Sequence, residues 1–578
     1  MNTFAPSAMR LLFLFLIPLL IGCPKPNEEG LTKQRGWNPC FQKGDIKILS
    51  GSLRFSRSTQ HSRWYGIDPA LVPPKALPVL SDDREALILS TPSHAVADIP
   101  AANGQWFLRT ALRIHSATKG KVHCEIFWAD QKDGGVLTSL AQQELVHVPG
   151  EPDNWLPLRV PLPAGPGQIQ LVCRSPGIGG LRIRGPEIAW ATPLVIREDV
   201  TPPKPDVVLV TVDTLRADGM DHAPELRRVL KKGVHWNHAV APSNWTLPSY
   251  GSLFSAQPPK IHGAGRGPFS THPETGRENR EFRSIRPDIP LLPESFRQAG
   301  YATAMFHQNP LLEAWTGLNR GFEQYTRTQD NTTSGLAIAQ KWWEKEKGRP
   351  RFLVVHLMAP HLPYSPPTIE GITDNLPNDP LAALAWQDFL AEDHSPKERR
   401  DFFDLPKEDK EKVRKRYFGE VAALDSVLGP WVESLLTVNP KTILVFHSDH
   451  GEELWDEGGF EHGHAFHSSI TQVPLAILAE GLAPSEIHHP VQVQDVGPTL
   501  LRIANVQAPR GWDGNLFKPT EKVDSSHPLF RANFGGVSHT SQGIRKIPFL
   551  PSTASTGPEP KLRPEEARAL AELGYGGD

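Results

Sequence analysis

The apolar residues of this chain follow two different patterns, and the change between them divides the molecule. Between residues 45 and 198, short segments alternate apolar and polar positions, as they do around Val122, Cys124 and Ile126. A period of two is typical of strands that bury one face, and breaks rich in Gly and Pro separate these segments. The pattern predicts an antiparallel β-sandwich of the jelly-roll type.

Cys124 and Cys173 both fall on apolar faces of these predicted strands. They either form a disulfide across the sandwich core or remain two small buried side chains. The tryptophans spread through this segment are predicted to be core aromatics, with a carbohydrate-binding surface as the other interpretation.

From residue 204 to about residue 525, the apolar runs are continuous and helical stretches lie between them. Four runs are predicted to be strands buried on both faces: 207–212, 302–306, 352–357 and 442–446. The stretch 407–436 is predicted to be a helix that breaks or kinks at Gly429-Pro430, because proline cannot donate the helical hydrogen bond. Buried strands that alternate with helices indicate an α/β fold with a mostly parallel sheet.

The proline-rich stretch 201–205 is predicted to link the two segments, since it can neither continue a helix nor pair well in a sheet. A tail (526–578) rich in Ser, Thr and Pro follows, with one short helix expected near 563–573. The predicted organisation is therefore a sandwich domain (45–198), an α/β catalytic domain (204–525) and the tail.

The first 22 residues are predicted to be a signal peptide. Arg10 precedes an apolar run, 11–21, that is too short to remain as a transmembrane helix. The run ends in Gly22-Cys23 and resembles the signal of a bacterial lipoprotein, in which Cys23 would be lipidated; an ordinary signal peptide is the other interpretation. Residues 23–44 would be a tether. The expected location is the bacterial cell envelope, lipid-anchored at the outer membrane, and periplasmic or at the cell surface.

Composition excludes two classes of function. The formal net charge is −3, from 61 basic and 64 acidic residues, so no overall field attracts nucleic acid and none is expected as a partner. The four cysteines show no C-x-x-C spacing, which excludes a zinc–thiolate site.

Polar side chains follow all four predicted strands of the α/β segment, at the point where each strand ends. The carboxyl ends of parallel strands meet at one edge of a sheet, where ligands bind in open α/β folds. The residues at this edge are Asp213, Thr214, His307, Gln308, Asn309, His361, Asp449 and His450. Carboxylates and imidazoles bind divalent metals. The sequence therefore predicts a metal site here, with Asp213, Asp449 and His450 as ligands.

Thr246 is predicted to stand at the start of a helix, because Pro248 suits the first turn and an apolar run follows. Free N–H groups and the helix macrodipole favour an anion at that position. A hydroxyl there, beside a metal bound by Asp213 and Asp449, could ionise and act as a nucleophile. The plainer interpretation is a hydroxyl that only caps the helix.

Several short motifs follow one another along the α/β segment. They are Val210–Asp218, Gly300–Ala304, Ala359–Tyr364, Ser448–Glu453, Glu461–His464, Gln472–Leu475 and Asp495–Leu501. Together they resemble the sulfatase family of the alkaline-phosphatase-like superfamily. The resemblance covers the α/β segment and leaves the N-terminal sandwich outside it.

The resemblance implies one divalent metal ion and a sulfated or phosphorylated ester as substrate, such as a glycan or a lipid headgroup. The implied metal ligands are Asp213, Thr214, Asp449 and His450. His361 and His462 would contact the sulfate or phosphate oxygens or protonate the leaving group. Asn309 and His464 would bind the substrate.

The motif around Thr246 departs from sulfatases that use formylglycine. Those enzymes modify a Cys or Ser that is followed four positions later by Arg, whereas Thr246 and Tyr250 occupy these places here. No formylglycine is therefore expected. Thr214 replaces a second Asp, so Mn²⁺ or Zn²⁺ competes with Ca²⁺ as the expected ion.

The favoured hypothesis is a metal-dependent hydrolase of sulfate or phosphate esters with Thr246 as nucleophile. A sulfated threonine has no second hydroxyl to expel sulfate, whereas a phosphorylated threonine is a better intermediate. A phosphotransferase or phosphodiesterase acting on envelope glycans or lipids is therefore one alternative. Another is a non-catalytic binding lipoprotein that keeps the fold.

Overall fold

The computed structural model describes most of residues 79–197 and 204–518, together with short pieces on either side. The described ranges are 56–57, 62–65, 79–82, 84, 86–91, 93–99, 104–115, 120–130, 137–147, 155–174, 186–197, 204–266, 270–271, 278–279, 282–374, 376, 379–382, 384–390, 396–518, 536–540, 543–547, 562 and 564–572. The predicted signal peptide, Cys23 and the tether lie outside these residues, so they stay predictions.

The N-terminal segment forms two five-stranded antiparallel sheets. Its strands are β1 (Ser56–Arg57), β2 (Ser62–Tyr65), β3 (Val79–Asp82), β4 (Ala86–Ser90), β5 (Ser93–Ile99), β6 (Trp106–His115), β7 (Gly120–Asp130), β8 (Leu137–His147), β9 (Leu156–Leu162), β10 (Gly167–Arg174) and β11 (Glu187–Arg197). The sheets have the orders β1-β5-β10-β7-β8 and β2-β4-β11-β6-β9, and β3 joins neither. Leu108 and Ile188 of one sheet share a buried core with Val122 and Leu171 of the other. The predicted antiparallel sandwich is confirmed.

Cys124 and Cys173 face each other on β7 and β10 within this core. Their Sγ atoms lie 3.4 Å apart and are not bonded to each other. The indole N–H of Trp190 donates to Cys173 Sγ at 3.3 Å. Trp106 and Trp128 are buried here too, so these tryptophans are core residues.

A ten-stranded sheet organises the second segment. Its strands and the short hairpins beside it are β12 (Val207–Val212), β13 (Val234–Val240), β14 (Gly265–Arg266), β15 (Ser270–Thr271), β16 (Glu278–Asn279), β17 (Phe282–Arg283), β18 (Ala302–His307), β19 (Gln324–Thr328), β20 (Arg351–Leu357), β21 (Ile443–Ser448), β22 (Glu453–Leu454), β23 (Phe460–Glu461), β24 (Gln472–Leu478), β25 (Ser485–Ile487), β26 (Val491–Gln492), β27 (Gly536–Thr540) and β28 (Gly543–Ile547). The sheet order is β25-β13-β24-β21-β12-β20-β18-β19-β3, with β26 beside β13. From β21 to β19 the strands run parallel, whereas β24 is antiparallel to both neighbours. The predicted α/β fold with a mostly parallel sheet is confirmed.

Helices cover both faces of this sheet. They are α1 (Pro224–Leu230), α2 (Thr246–Ser255), α3 (Pro259–His262), α4 (Leu292–Gln298), α5 (Thr332–Lys345), α6 (Trp386–Leu390), α7 (Pro396–Phe402), α8 (Lys407–Val438), α9 (Ser468–Thr471), α10 (Val496–Ile503) and α11 (Pro564–Glu572). Val207 and Leu209 of β12 face a layer that includes α2, α4 and α10, whereas Val208 and Val210 face α1, α5 and α8. Both faces are apolar, which explains the continuous apolar runs.

Helix α8 is continuous through Gly429-Pro430, so a break there is wrong, whereas the alternative of a kink stays a prediction. Gly429 packs so closely against α1 that an added Cβ would lie 2.6 Å from Glu225 Cβ. Val432 and Leu435, beyond the proline, are buried in the same apolar layer. Tertiary packing therefore outweighs the hydrogen bond that Pro430 cannot make.

Helix α8 is also the one helix in the described ranges that is long and apolar enough to cross a membrane. Length and composition alone give this result, and core helices of globular domains often share them. Val413, Tyr417 and Leu424 pack in the apolar layer against the sheet, as they do in such a core helix.

Among the described residues, the sandwich segment contacts the second segment through β3 and through Arg109. Strand β3 pairs antiparallel with β19 and forms one edge of the ten-stranded sheet. Arg109 on β6 forms an ion pair with Glu346 at the end of α5, with an N–O distance of 3.0 Å. Strands from both sides of the predicted linker therefore share one sheet, and the domain boundaries themselves stay a prediction.

Asp206 anchors the start of the central strands, and its loss should destabilise the fold. It accepts hydrogen bonds from the backbone N–H and Nε of Arg351 at 2.9 and 3.0 Å, and from Asn439 at 2.9 Å. Asp206→Ala leaves the buried Arg351 without its counter-charge, so we expect the free energy of unfolding to fall by about 3–5 kcal/mol. Urea denaturation measures it. Asp404→Ala, which removes an exposed partner of Lys410, is the control and should cost less than about 1 kcal/mol; equal losses in the two variants would contradict the prediction.

Candidate active site

Ionisable side chains converge at the carboxyl ends of β12, β20 and β21. Asp213 follows β12, Asp449 and His450 follow β21, and His356 is the last residue but one of β20. All four are buried, with exposed fractions of 1% or less. The strand ends lie side by side, so two carboxylates and two imidazoles crowd one buried space.

Asp213 and Asp449 are carboxylates with opposite shifts in pKa. Burial and the charge of Asp213 raise the pKa of Asp449 well above its ordinary value. Burial would also raise the pKa of Asp213, but the neighbouring histidines, His356 first among them, outweigh it and lower this pKa. Two ionised carboxylates at this depth require a positive partner.

Asp213, His356 and Asp449 have the geometry of a metal site. Each offers one ligand atom, and these atoms all lie within 4.8 Å of one another. Asp213 Oδ1, Asp449 Oδ2 and both ring nitrogens of His356 have no hydrogen-bond partner in the part of the chain that the structure describes. A divalent cation would satisfy these buried atoms, and a set of carboxylates and imidazole suits Mn²⁺ or Zn²⁺.

Sequence reasoning missed His356 because this residue lies within an apolar strand and not after one. Phe352 and Val354, on the same face of β20, belong to the apolar core. The sequence feature that could have identified it is a single histidine inside an apolar run, because a buried polar side chain needs a partner.

His450 presents one ring nitrogen to the same space. Its Nδ1 lies 3.0 Å from the carbonyl oxygen of Gly451, which can only accept, so Nδ1 carries the proton. Its Nε2 lies 3.5 Å from Asp213 Oδ1 and 3.6 Å from Asp449 Oδ2. Burial lowers the pKa of His450 well below its ordinary value. The neutral ring therefore directs a lone pair at both carboxylates, where it can bind a cation or accept a proton.

Thr246 is the first residue of α2, and its buried hydroxyl faces this group. Its Oγ1 lies 3.3 Å from His450 Nε2 and accepts a hydrogen bond from Asn309 Nδ2 at 3.3 Å. The same amide donates to Asp213 Oδ2 at 2.7 Å. The residue in the cap position is Trp245. The structure therefore brings together Thr246, Asn309, Asp213 and His450, as the sequence predicted.

His361 and His462 face each other beside His450. The ring centroids of His361 and His462 are 5.1 Å apart, and those of His450 and His462 are 4.4 Å apart. His361 Nδ1 donates to the carbonyl of Leu362 at 2.6 Å, and its Nε2 is buried without a hydrogen-bond partner among the described residues. The free nitrogen of His361 can therefore meet a substrate oxygen.

Glu452 orients His462, and sequence reasoning gave it no role. His462 Nδ1 donates to Glu452 Oε1 at 2.9 Å, and Tyr364 Oη donates to Glu452 Oε2 at 2.8 Å. Burial alone would lower the pKa of His462, but the charges of Glu461 and Glu452 outweigh it and raise this pKa to about 9. The only signal in the sequence was the acidic pair that follows the metal motif.

Thr214 and His464 lie beside the central carboxylates and differ in their contacts. Thr214 has a φ of 55°, a left-handed conformation that is unusual for a β-branched residue. Its buried hydroxyl has no hydrogen-bond partner within the described ranges, so it stays a candidate ligand. His464 Nε2 lies 2.9 Å from Glu453 Oε2, and its Nδ1 lies 3.3 Å from the carbonyl oxygen of His462. These contacts place His464 next to His462 and not at the carboxylates.

Comparison with known proteins identifies the family. A family model described as Sulfatase matches residues 205–506, which is more than half of the chain. This chain belongs to the sulfatase family. Choline-sulfatase of Rhizobium meliloti (strain 1021) is 25% identical over 394 residues, which are 57% of this chain and 74% of that protein. A protein named Sulfatase from Formosa agariphila is 24% identical over 367 residues, or 53% of this chain and 70% of that protein.

The fold comparison gives neighbours of modest similarity. The solved structure of phosphonate monoester hydrolase SpPMH from Silicibacter pomeroyi matches with a TM-score of 0.42 and 19% identity, over 55% of this chain and 76% of that chain. Family membership makes this sulfatase an ester hydrolase. Sulfatases usually bind a divalent metal, and the unpartnered atoms of Asp213, His356 and Asp449 fit one.

Removing either central carboxylate should abolish metal binding. Asp213→Asn and Asp449→Asn each take away a charged ligand, so we expect the dissociation constant for Mn²⁺ or Zn²⁺ to rise by at least about 100-fold. Isothermal titration calorimetry measures it on protein stripped with a chelator. Metal-free Asp449→Asn should unfold no earlier than wild type, because burial and the charge of Asp213 already disfavour an ionised Asp449.

The matched control is Asp221→Asn, an exposed aspartate that pairs with Arg227 and should bind metal like wild type. Wild-type protein that binds none of Mn²⁺, Zn²⁺ and Ca²⁺ at micromolar concentration would refute the metal site.

Proposed function

We propose that this sulfatase hydrolyses its ester through a covalent intermediate on Thr246. The observation that carries the proposal is the setting of Thr246 Oγ1, buried at the first turn of α2 and 3.3 Å from both His450 Nε2 and Asn309 Nδ2. The free N–H groups of that helix end favour an anionic group at this point.

Asp213 and Asp449 would hold the divalent metal, with His356, His450 and Thr214 as further candidate ligands. A bound cation supplies positive charge that stabilises anionic ester oxygens and the ionised form of a nearby hydroxyl. The order of preference between Mn²⁺, Zn²⁺ and Ca²⁺ is what the titration above measures.

The residues around Thr246 prepare its hydroxyl for attack. Asn309 donates to both Thr246 Oγ1 and Asp213 Oδ2, which fixes the hydroxyl beside the carboxylate. The lone pair on His450 Nε2 is directed at the same hydroxyl and can take its proton. As the bond from Oγ1 to sulfur or phosphorus forms, the bond to the alcohol oxygen breaks, and water later releases the acid from Thr246.

The departing alcohol oxygen needs a proton, and His462 and His361 are the proposed donors. Glu452 holds His462 through Nδ1, and Glu461 Oε1 lies 3.3 Å from its Nε2, so two carboxylates favour the protonated ring. His361 Nε2 is buried beside it. Displacement at phosphorus or sulfur requires the nucleophile and the leaving oxygen to lie in line, so these imidazoles would act on the side of the ester away from Thr246.

Phosphate or phosphonate esters are the proposed substrates ahead of sulfate esters. Thr246 carries one hydroxyl, so a sulfated Thr246 has no second hydroxyl with which to expel sulfate. A phosphorylated threonine is cleaved by direct attack of water at phosphorus. The similarity to Choline-sulfatase supports sulfate esters as the second candidate.

Substitutions of Thr246 test whether it is the nucleophile and on which class of ester the enzyme acts. Thr246→Ala removes the nucleophile, so we expect kcat/KM to fall by about 10³-fold or more on the true substrate class. Thr246→Ser keeps a hydroxyl and should stay within about tenfold of wild type. Aryl esters of phosphate (mono- and diester), phosphonate and sulfate, each assayed with metal present, make up the panel. Wild-type activity in Thr246→Ala would remove Thr246 from the mechanism.

We also propose that lipid on Cys23 holds the enzyme at the bacterial cell envelope, where glycans and lipid headgroups are within reach. The support is the apolar run that ends in Gly22-Cys23. When the full chain is expressed in a bacterium fed an alkyne-labelled fatty acid, wild type should become labelled. Cys23→Ser should not, whereas Cys40→Ser should be labelled like wild type. Label retained in Cys23→Ser would contradict the anchor.

A further inference from the structure

Five histidines at the active-site edge share one hydrogen-bonding pattern. Each donates its Nδ1 proton to a fixed oxygen, so its Nε2 carries a lone pair. The pairs are His307 with the Asn309 carbonyl (3.0 Å), His361 with the Leu362 carbonyl (2.6 Å), His447 with the Ser448 carbonyl (2.9 Å), His450 with the Gly451 carbonyl (3.0 Å) and His462 with Glu452 (2.9 Å). This bond is what sets the tautomer of a histidine.

His356, which is one of the three candidate metal ligands with Asp213 and Asp449, does not follow that pattern. Neither of its ring nitrogens has a hydrogen-bond partner in the described part of the chain, and the residue is 1% exposed. Its Nε2 lies 3.2 Å from Asp213 Oδ2, so Nε2 is the nitrogen on the metal side. A histidine that binds metal almost always donates its other N–H to a neighbour, and for His356 that neighbour must come from elsewhere.

Tyr250 is a side chain placed to be that neighbour. It lies one turn after Thr246 on α2, it is fully buried, and its hydroxyl has no hydrogen-bond partner in the described ranges. Its ring centroid is 5.6 Å from that of His356, and Phe254 packs edge-on against its ring at 5.4 Å. The phenol oxygen and the imidazole nitrogens are not hydrogen-bonded to each other, and at this separation of the rings one buried water can join them.

The Tyr250 hydroxyl also has a group to which it can donate. Thr211 lies beside the phenol. Its hydroxyl must donate to His447 Nε2, 3.0 Å away, because His447 Nδ1 already carries the proton. Thr211 Oγ1 is therefore free to accept a hydrogen bond from Tyr250.

We infer that Tyr250 is a positioning residue whose hydroxyl holds His356 in the tautomer that binds metal. The donors then run in one direction, from His356 Nδ1 through a buried water to Tyr250 Oη, from Tyr250 to Thr211, and from Thr211 to His447. The inference rests on the proposed function in one respect, the metal site. Formylglycine sulfatases have Arg at the position of Tyr250, and the inference assigns a role to the tyrosine that replaces it.

The test is Tyr250→Phe in the full chain. This variant keeps the ring and its packing and removes only the hydroxyl. We expect the dissociation constant for Mn²⁺ or Zn²⁺ to rise by about 10–100-fold, measured by calorimetry, while the metal-free protein melts no earlier than wild type. Tyr301→Phe is the matched control: Tyr301 is also fully buried with an unpartnered hydroxyl among the described residues, but it precedes β18 at the opposite edge of the sheet. It should bind metal like wild type.

A double-mutant cycle with His356→Ala shows whether the effect passes through His356. Tyr250→Phe should weaken metal binding in the wild-type background and add nothing in the His356→Ala background. Equal weakening in both backgrounds, or wild-type affinity in Tyr250→Phe, would overturn the inference. Wild-type protein that binds no metal would overturn it together with the metal site. Wild-type protein that binds metal and hydrolyses no ester would defeat the catalytic proposal alone.

Discussion

The register between three parallel strands is the constraint on which the active site depends. Val212 of β12 pairs with Ser448 of β21, so the residues that follow them, Asp213 and Asp449, stand at the same level. Side chains alternate between the faces of a sheet, and a slip of one residue would turn one carboxylate away from the other. The same slip in β20 would move His356 to the opposite apolar layer. The packing of apolar helices on both faces fixes this register, and the chemistry follows from it.

Stability and chemistry oppose each other at this edge. Asp213 and Asp449 lie buried beside several imidazoles, which is an unfavourable arrangement in a protein interior without a compensating cation. The apolar layers and the Asp206–Arg351 pair at the other end of the strands keep the arrangement in place. A bound metal would therefore stabilise the folded state as well as prepare the site, since ligands that bind only the native protein shift the folding equilibrium.

Much of this could be predicted from the sequence, because it depends on local rules. Continuous apolar runs marked the central strands, and the polar residues after them, such as Asp213 and Asp449, marked the site. The features that escaped prediction depend on contacts between distant parts of the chain. His356 is hidden inside a strand, Glu452 acts through His462, and the continuity of α8 depends on its packing against α1. The pairing of β3 with β19 joins segments that no local pattern connects.

That last pairing bears on how the enzyme can be divided. Within the described residues, β19 is bonded on one side to β18 and on the other to β3, which comes from the sandwich segment. A protein shortened to begin at residue 204 would leave the backbone N–H and C=O groups along one side of β19 open to solvent. Such an edge invites pairing with other chains. The outermost strand of the hydrolase sheet thus belongs to the segment before it. Insolubility after truncation would reflect the missing strand and not an unstable catalytic fold.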